Sequence, residues 1–294
     1  MRLGTAFPHH IGTDPDAIRH FAQNLEGAGF DDLLVIDHVV GGHPDRFQGP
    51  MGGFERPPYT HVDPFHEVFT LLCFMAGVTT RIGLVSNVVV LPQRETVLVA
   101  KQAAETDILS RGRLTLGIGV GWNAVEFGAL GAEFGDRGRR VEEQVAVLRQ
   151  LWSSALVTFD GRWHHLDRVG INPLPGRVIL IWMGSASLDV SLRRIARLAD
   201  GWIPLGQDGE QLTPALARLR HYLAEAGRGP DSCGLRLQLR VEDASIGRDE
   251  VLRRFDSLRA LGATHVTVNL GRPAPPIEQH LDRLLECRRL LDAG

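Results

Sequence analysis

The sequence predicts an α/β protein folded as a (β/α)8 TIM barrel, and two observations carry that expectation. Short apolar runs alternate with helical segments along the chain, and eight such runs can be counted, each followed by a helix. The stretch 81–152 shows the repeating unit most clearly. Strands 82–86 and 114–118 flank a helix, 95–110, that stops at Ser-Arg-Gly-Arg, and the second strand runs into a glycine-spaced turn, 117–123. A strand, a crossover helix and a second strand make half of a parallel barrel or of a doubly wound sheet. Eight strands, nearly all short, fit the closed barrel better. The chain has 294 residues and no linker, low-complexity tract or further repeat. It is therefore read as one domain spanning 1–294; such a barrel takes about 250 residues on its own.

The elements follow in order. Strand 3–7 leads to helix 14–28, capped by Asp14, with Pro15 at its first position and Gly29 at its stop. Strand 32–36 (DLLVI) is buried. Residues 40–63 are rich in Gly and Pro without periodicity and form an insertion after the second strand. Helix 64–78 places Phe65, Val68, Phe69, Leu72 and Met75 on one face. After the fourth strand, helical pieces 126–131 and 137–152 and a small hairpin, 156–159 with 163–166, form a second insertion. The repeat then resumes with strands 178–183, 202–205, 235–241 and 265–270, and helices 188–199, 209–226, 249–260 and 277–291.

Composition excludes several classes. A net charge of −3 and a pI near 6.5 argue against a nucleic-acid partner. No apolar run approaches the ~20 residues of a membrane helix, and the N-terminus lacks the apolar core of a signal peptide. Cys73, Cys233 and Cys287 lie far apart without CxxC spacing and are read as reduced thiols. A cytoplasmic setting is expected, with no membrane partner. Hydrophobic residues make up 44% of the chain, enough for a sizeable core.

In such barrels the working face lies at the C-terminal ends of the strands. That selects residues 8–10, Asp37-His38, Asn87-Val88, 119–123, 184–187, Gly206-Gln207, Glu242 and Gly271-Arg272. His9-His10 and His164-His165 lack metal-site spacing, because strand neighbours point to opposite faces. No metal is expected. A GxSxG elbow is absent too, which argues against covalent hydrolysis.

Several phrases carry a resemblance: DHVV after the second strand, Asp63-Pro64-Phe65 opening a helix, AGVTTRIGLVSNVVVLP, ILSRGRLTLGIGVGWNAVEFGALG, RGRRVEEQ with LRQLW, and IWMGSAS with RRIARLADGWIPLG. Together they resemble the luciferase-like monooxygenase superfamily, and within it the branch that uses the deazaflavin coenzyme F420. The resemblance runs from residue 2 to 205; beyond that the match is one of pattern. It implies a bacterial-luciferase-like barrel and an oxidoreductase that moves a hydride between the coenzyme and a small organic substrate. Relatives also use flavin mononucleotide (FMN) on the same barrel. The alternative is thus an FMN-dependent two-component monooxygenase supplied by a separate reductase. A non-catalytic flavin-binding barrel is a second alternative. Family members are commonly dimers, so a homodimer is expected by analogy.

The resemblance also assigns residues. His38 stands where relatives carry a functional histidine, and Asp37-His38 is a pair near the ring; His38 is the expected proton donor. A non-proline cis peptide is expected between Asn87 and Val88, with Ser86-Asn87 the next choice, in a bulge pressed against one ring face. Gly117, Gly119 and Gly121 imply close backbone approach to something flat or bulky, with Trp122 and Asn123 bordering the pocket. The sugar-phosphate dehydrogenase of the family has a glutamate where this chain has Trp122, so that substrate does not carry over. Glu126, one helical turn on, could face away. Gly184, Ser185 and Ala186, at a helix N-terminus, are expected to hold the cofactor's phosphate, and Gly206 lies at the next strand end. The loop 41–61, with Phe47, Met51, Phe54 and Tyr59, reads as a lid or a dimer contact. Arg137, Arg139 and Arg140 read as a solvated helix start.

Overall fold

The computed structural model describes residues 1–47, 56–206, 209–242, 246–271 and 276–292. Met51, Phe54, Gln207 and Arg272 lie outside them. Eight parallel strands close the barrel among these residues: β1 (Arg2–Ala6), β2 (Asp32–Val35), β3 (Gly83–Ser86), β5 (Leu114–Gly119), β8 (Leu180–Ser185), β9 (Gly201–Pro204), β10 (Gly234–Arg240) and β11 (His265–Asn269). Closure is made where β1 pairs with β11, Leu3 opposite Val266, and where β3 pairs with β5, Leu84 opposite Leu114. A two-residue strand, β4 (Val89–Val90), resumes beside β5 after an interruption in β3.

Helices cover the outside: α1 (Pro15–Gly27), α2 (Val68–Val78), α3 (Thr96–Leu109), α4 (Ala124–Ala129), α5 (Arg137–Ser153), α6 (Asp189–Leu198), α7 (Thr213–Glu225), α8 (Arg248–Ala260) and α9 (Ile277–Asp292). Their buried faces, such as Phe21 and Leu25 of α1 or Val145 and Leu148 of α5, pack on the strands. Asp14 caps α1 by accepting the Asp16 N–H at 3.0 Å. The hairpin β6 (Val157–Asp160) with β7 (His165–Val169) stands apart from the barrel sheet. None of the described helices is long and apolar enough to cross a membrane.

Three helix starts differ from the sequence expectation by two residues or more. Helix α2 starts at Val68, because the Glu67 carboxylate caps it from outside by accepting Thr70 N–H at 2.7 Å. Phe65 is thereby freed from the helix. Helix α4 begins at Ala124 because Asn123 is its cap, accepting Val125 N–H at 3.0 Å and Glu126 N–H at 3.3 Å. Residues 209–212 form a 3-10 turn ahead of α7.

The lower end of the barrel is filled, not open. Asp32 pairs with Arg236 at 2.6 Å and with Arg2 at 2.8 Å, and Arg236 is buried. Burying these charges demands such pairing. The Trp182 ring lies across Gly201 and Gly234, where added Cβ atoms would collide with it.

Candidate active site

At the upper mouth the Asn87-Val88 peptide is cis, at the expected bond. Asn87 N–H donates to the Val35 carbonyl at 2.6 Å and the Ser86 hydroxyl to the Gly117 carbonyl at 2.8 Å, so the interruption is tied to strands on both sides. The Val88 side chain crosses the ends of β5 and β8. An added Cβ would lie 2.7 Å from Val88 Cγ2 at Gly119 and 2.9 Å from Val88 Cγ1 at Gly184. At Gly117 it would strike the Ser86 carbonyl. The close approach expected of these glycines is thus made by the protein's own bulge. Gly121, at φ 75°, is closed off likewise by Val90 and Phe127.

Asp37, expected beside a ring as a catalytic and cofactor residue, is instead a buried brace. At 1% exposure it accepts from Arg94 at 2.6 Å and from Val90 N–H at 3.1 Å, spending both oxygens on the segment after the bulge. Burial raises its carboxyl's pKa, and Arg94 and the Val90 N–H oppose that without cancelling it.

His38 is different. Its ring stacks on Tyr59 with centroids 3.6 Å apart and meets the edge of Phe65 at 5.0 Å. Its Nδ1 lies 3.4 Å from Oε2 of Glu126, a residue 1% exposed. Glu126 was open to facing away on the sequence; the structure turns it inward. Oε1 accepts Val39 N–H at 2.6 Å and Val40 N–H at 3.4 Å, while Oε2 accepts the Tyr59 hydroxyl at 3.1 Å. Desolvation works against this buried charge, but the His38 contact and the two backbone donors outweigh it and hold the carboxyl below its ordinary range. Asn123 Nδ2 donates to the Tyr59 oxygen at 2.7 Å. Burial, partly offset by Asn123 and reinforced by Glu126, raises the Tyr59 phenol, so it stays protonated. Trp122 meets Tyr59 edge-on at 5.7 Å and Phe47 at 6.1 Å, completing an aromatic wall on one side of the mouth.

Across the mouth, β8 runs out through Gly184 and Ser185 into α6. Among the described residues, the hydroxyl oxygens of Ser185 and Ser187 and Asn87 Oδ1 are buried without a hydrogen-bond partner. Buried polar atoms of this kind call for a ligand or ordered water. Arg218 straps the loop by donating to the Ser187 carbonyl at 2.9 Å and to Asp189 at 2.7 Å. A cavity of about 20 Å³ lies beneath, lined by Gly119, Gly184, Ser185, Ser191 and Arg194 among others. Gly206, exposed at φ 77°, follows Leu205, whose N–H donates to the Ser185 carbonyl at 3.0 Å; Ala186 is exposed.

The structure thus gathers His38, Asn87, Trp122, Asn123 and Ser185 around one mouth, with Val88 seated over Gly119 and Gly184. Phe65, Arg94 and Glu126 belong to the same cluster, and sequence reasoning gave them no site role; Tyr59, expected as part of a lid or dimer-contact loop, joins them. The phrase GWNAVE held the signal for Glu126: an Asn cap three residues ahead places it in the first helical turn.

A family model described as luciferase-like monooxygenase matches residues 1–265. An uncharacterized protein of Mycobacterium tuberculosis is 32% identical over 215 residues, covering 70% of this chain and 71% of that protein. An F420-dependent glucose-6-phosphate dehydrogenase of Kineococcus radiotolerans is 30% identical over 223 residues, 73% of this chain but 60% of the dehydrogenase. Among solved structures, an F420-dependent secondary alcohol dehydrogenase in complex with an F420-acetone adduct superposes with a TM-score of 0.78 at 16% identity, covering 99% of this chain and 98% of that one. The monooxygenase RslO1 from Streptomyces bottropensis does so with a TM-score of 0.76 at 22% identity, covering 100% and 99%.

Proposed function

Because the chain belongs to the luciferase-like monooxygenase family, we propose that it is an oxidoreductase using coenzyme F420 for hydride transfer to or from a small organic substrate. The observation that carries the reading is the pairing, at one mouth, of a histidine edge with three orphaned polar atoms, Asn87 Oδ1, Ser185 Oγ and Ser187 Oγ. A coenzyme with a phosphate and a polar ring edge matches that set. The Ser185 and Ser187 hydroxyls and the N–H groups opening α6 would hold its phosphate. Asn87 would accept from a ring N–H, and Val88 would back one ring face with apolar surface. The coenzyme supplies a carbon that takes or gives a hydride. His38 exchanges a proton with the substrate, while Tyr59, Phe65 and Trp122 keep water from that side. The relative named as an F420-dependent dehydrogenase supports the deazaflavin over FMN.

The test is a titration of the purified protein, followed by fluorescence, with oxidised F420 and separately with FMN. Tight binding of F420 with weak binding of FMN is expected. Tight binding of FMN alone would replace this reading with the two-component monooxygenase, and binding of neither would leave a barrel without redox chemistry.

A further inference from the structure

We propose that Glu126 is a positioning residue that sets the tautomer of His38, so that Nε2 is the nitrogen that exchanges the substrate's proton. The idea deepens the reading above and rests on it for the identity of the reaction, although the tautomer itself can be read on the protein alone.

The two oxygens of the Glu126 carboxylate have separate duties. Oε1 is taken by the backbone of Val39 and Val40, immediately after His38 in the chain. Oε2 faces His38 Nδ1 and the Tyr59 hydroxyl. An ionised carboxylate only accepts hydrogen bonds. Tyr59 has one O–H, and because Asn123 Nδ2 already donates to its oxygen, that hydrogen goes to Oε2. Neutral imidazole carries one N–H. With the proton on Nε2, the Nδ1 lone pair would point at a carboxylate oxygen 3.4 Å away. With the proton on Nδ1, the same contact is attractive. The separation is long for a hydrogen bond, so Glu126 acts more by excluding the wrong tautomer than by gripping the ring. Stacking on Tyr59 holds the ring plane. Nε2 makes no hydrogen bond among the described residues.

The chemical consequence concerns one atom. Neutral His38 keeps its lone pair on Nε2. In the oxidising direction a substrate hydroxyl gives its proton to Nε2 while its carbon gives a hydride to the coenzyme, leaving a carbonyl. The imidazolium so formed lies beside the Glu126 carboxylate. In the reducing direction both transfers run back.

Replacing Glu126 by Gln makes a sharp test. Val39 N–H needs an acceptor, so it claims the amide oxygen, which turns the NH2 group toward Nδ1. A donor there forces Nδ1 to accept, and the proton moves to Nε2. Long-range 1H–15N correlation of the histidine rings reads this directly, at a pH well above the ordinary histidine value of about 6.5. His38→Gln identifies the His38 signals. We expect Nδ1–H in the wild type, Nε2–H in Glu126→Gln, and Nδ1–H retained in Tyr59→Phe. An Nε2–H ring in the wild type overturns the proposal, as does an unchanged tautomer in a folded Glu126→Gln. Should Glu126→Gln fail to fold, Glu126→Asp withdraws the acceptor by one methylene and should give a mixed tautomer; a pure Nδ1–H state there also overturns it. With a substrate in hand, Glu126→Gln lowers kcat by about 100-fold and leaves coenzyme affinity unchanged. Failure of the coenzyme titration would sink the reading of function while leaving the tautomer result standing.

Discussion

At the barrel mouth His38 meets Glu126; on the outer wall, where hairpin β6–β7 folds against α3 and α5, His164 meets Glu143. In the second pair everything is consumed. His164 Nδ1 lies 2.8 Å from Glu143 Oε1, and its Nε2 lies 2.6 Å from the Thr96 hydroxyl. Gln144 Nε2 donates to that hydroxyl at 3.0 Å, so Thr96 donates onward to the ring. Glu143 also takes the backbone N–H groups of Arg162, Trp163 and His164 at 2.8, 2.8 and 2.9 Å. The result is a staple that fixes the hairpin. In the mouth pair the carboxylate is just as occupied, but one ring nitrogen is left over among the described residues. The same two residue types become structure or chemistry according to what remains unbonded.

Three measurements break or sharpen this contrast. The largest effect is expected from His38→Ala, which should lower turnover about 10²- to 10⁴-fold while leaving the melting temperature close to that of the wild type. Unchanged turnover would remove His38 from the reaction. Next, Glu143→Ala strands three backbone donors and a ring nitrogen, and should cost about 2–4 kcal/mol of stability in urea denaturation. Coenzyme affinity per folded molecule should hold, and its loss would show the staple to be part of the site. The smallest effect concerns acid. Glu143, like Glu126, is held below its ordinary carboxylate value: desolvation opposes this, and His164 with the Trp163 and Arg162 N–H groups outweigh it. A folded-state pKa below the unfolded one means stabilisation that is present above about pH 4.3 and is lost as pH falls through the lower folded value. The stability gap between wild type and Glu143→Gln should therefore narrow from pH 5 toward pH 3, about two units across that value. A constant gap would mean that the charge of Glu143 contributes nothing.

The barrel was legible because its strands are short, apolar and regularly spaced, and because helices such as 14–28 and 95–110 carry a glycine stop. The position of His38 followed from the strand end before it, and the cis bond from the wording around Asn87. Glu126 was not legible in the same way. Helix α4 begins at Ala124, two residues ahead of the expected 126, and two residues of helix are about 200° of rotation. An error that is trivial for a fold thus reverses the face on which a side chain lies. Tyr59 was hidden for another reason: its partners, Asn123 and Glu126, lie 64 and 67 positions away, and the loop that holds it has no periodicity to read. The spacing of the glycines shows that something comes close without showing what, and the bulge of residues 86–88 supplies one answer.

That last point reaches beyond the site. One branched side chain, Val88, occupies the space vacated at Gly119 of β5 and at Gly184 of β8. Two positions on two strands therefore share a single constraint, and neither can drift alone. A methyl group gained at Gly119 becomes tolerable once Val88 has been trimmed. In a lineage, these three sites should change together or stay as they are. Anyone wishing to widen this mouth should begin with the valine and leave its sockets in place.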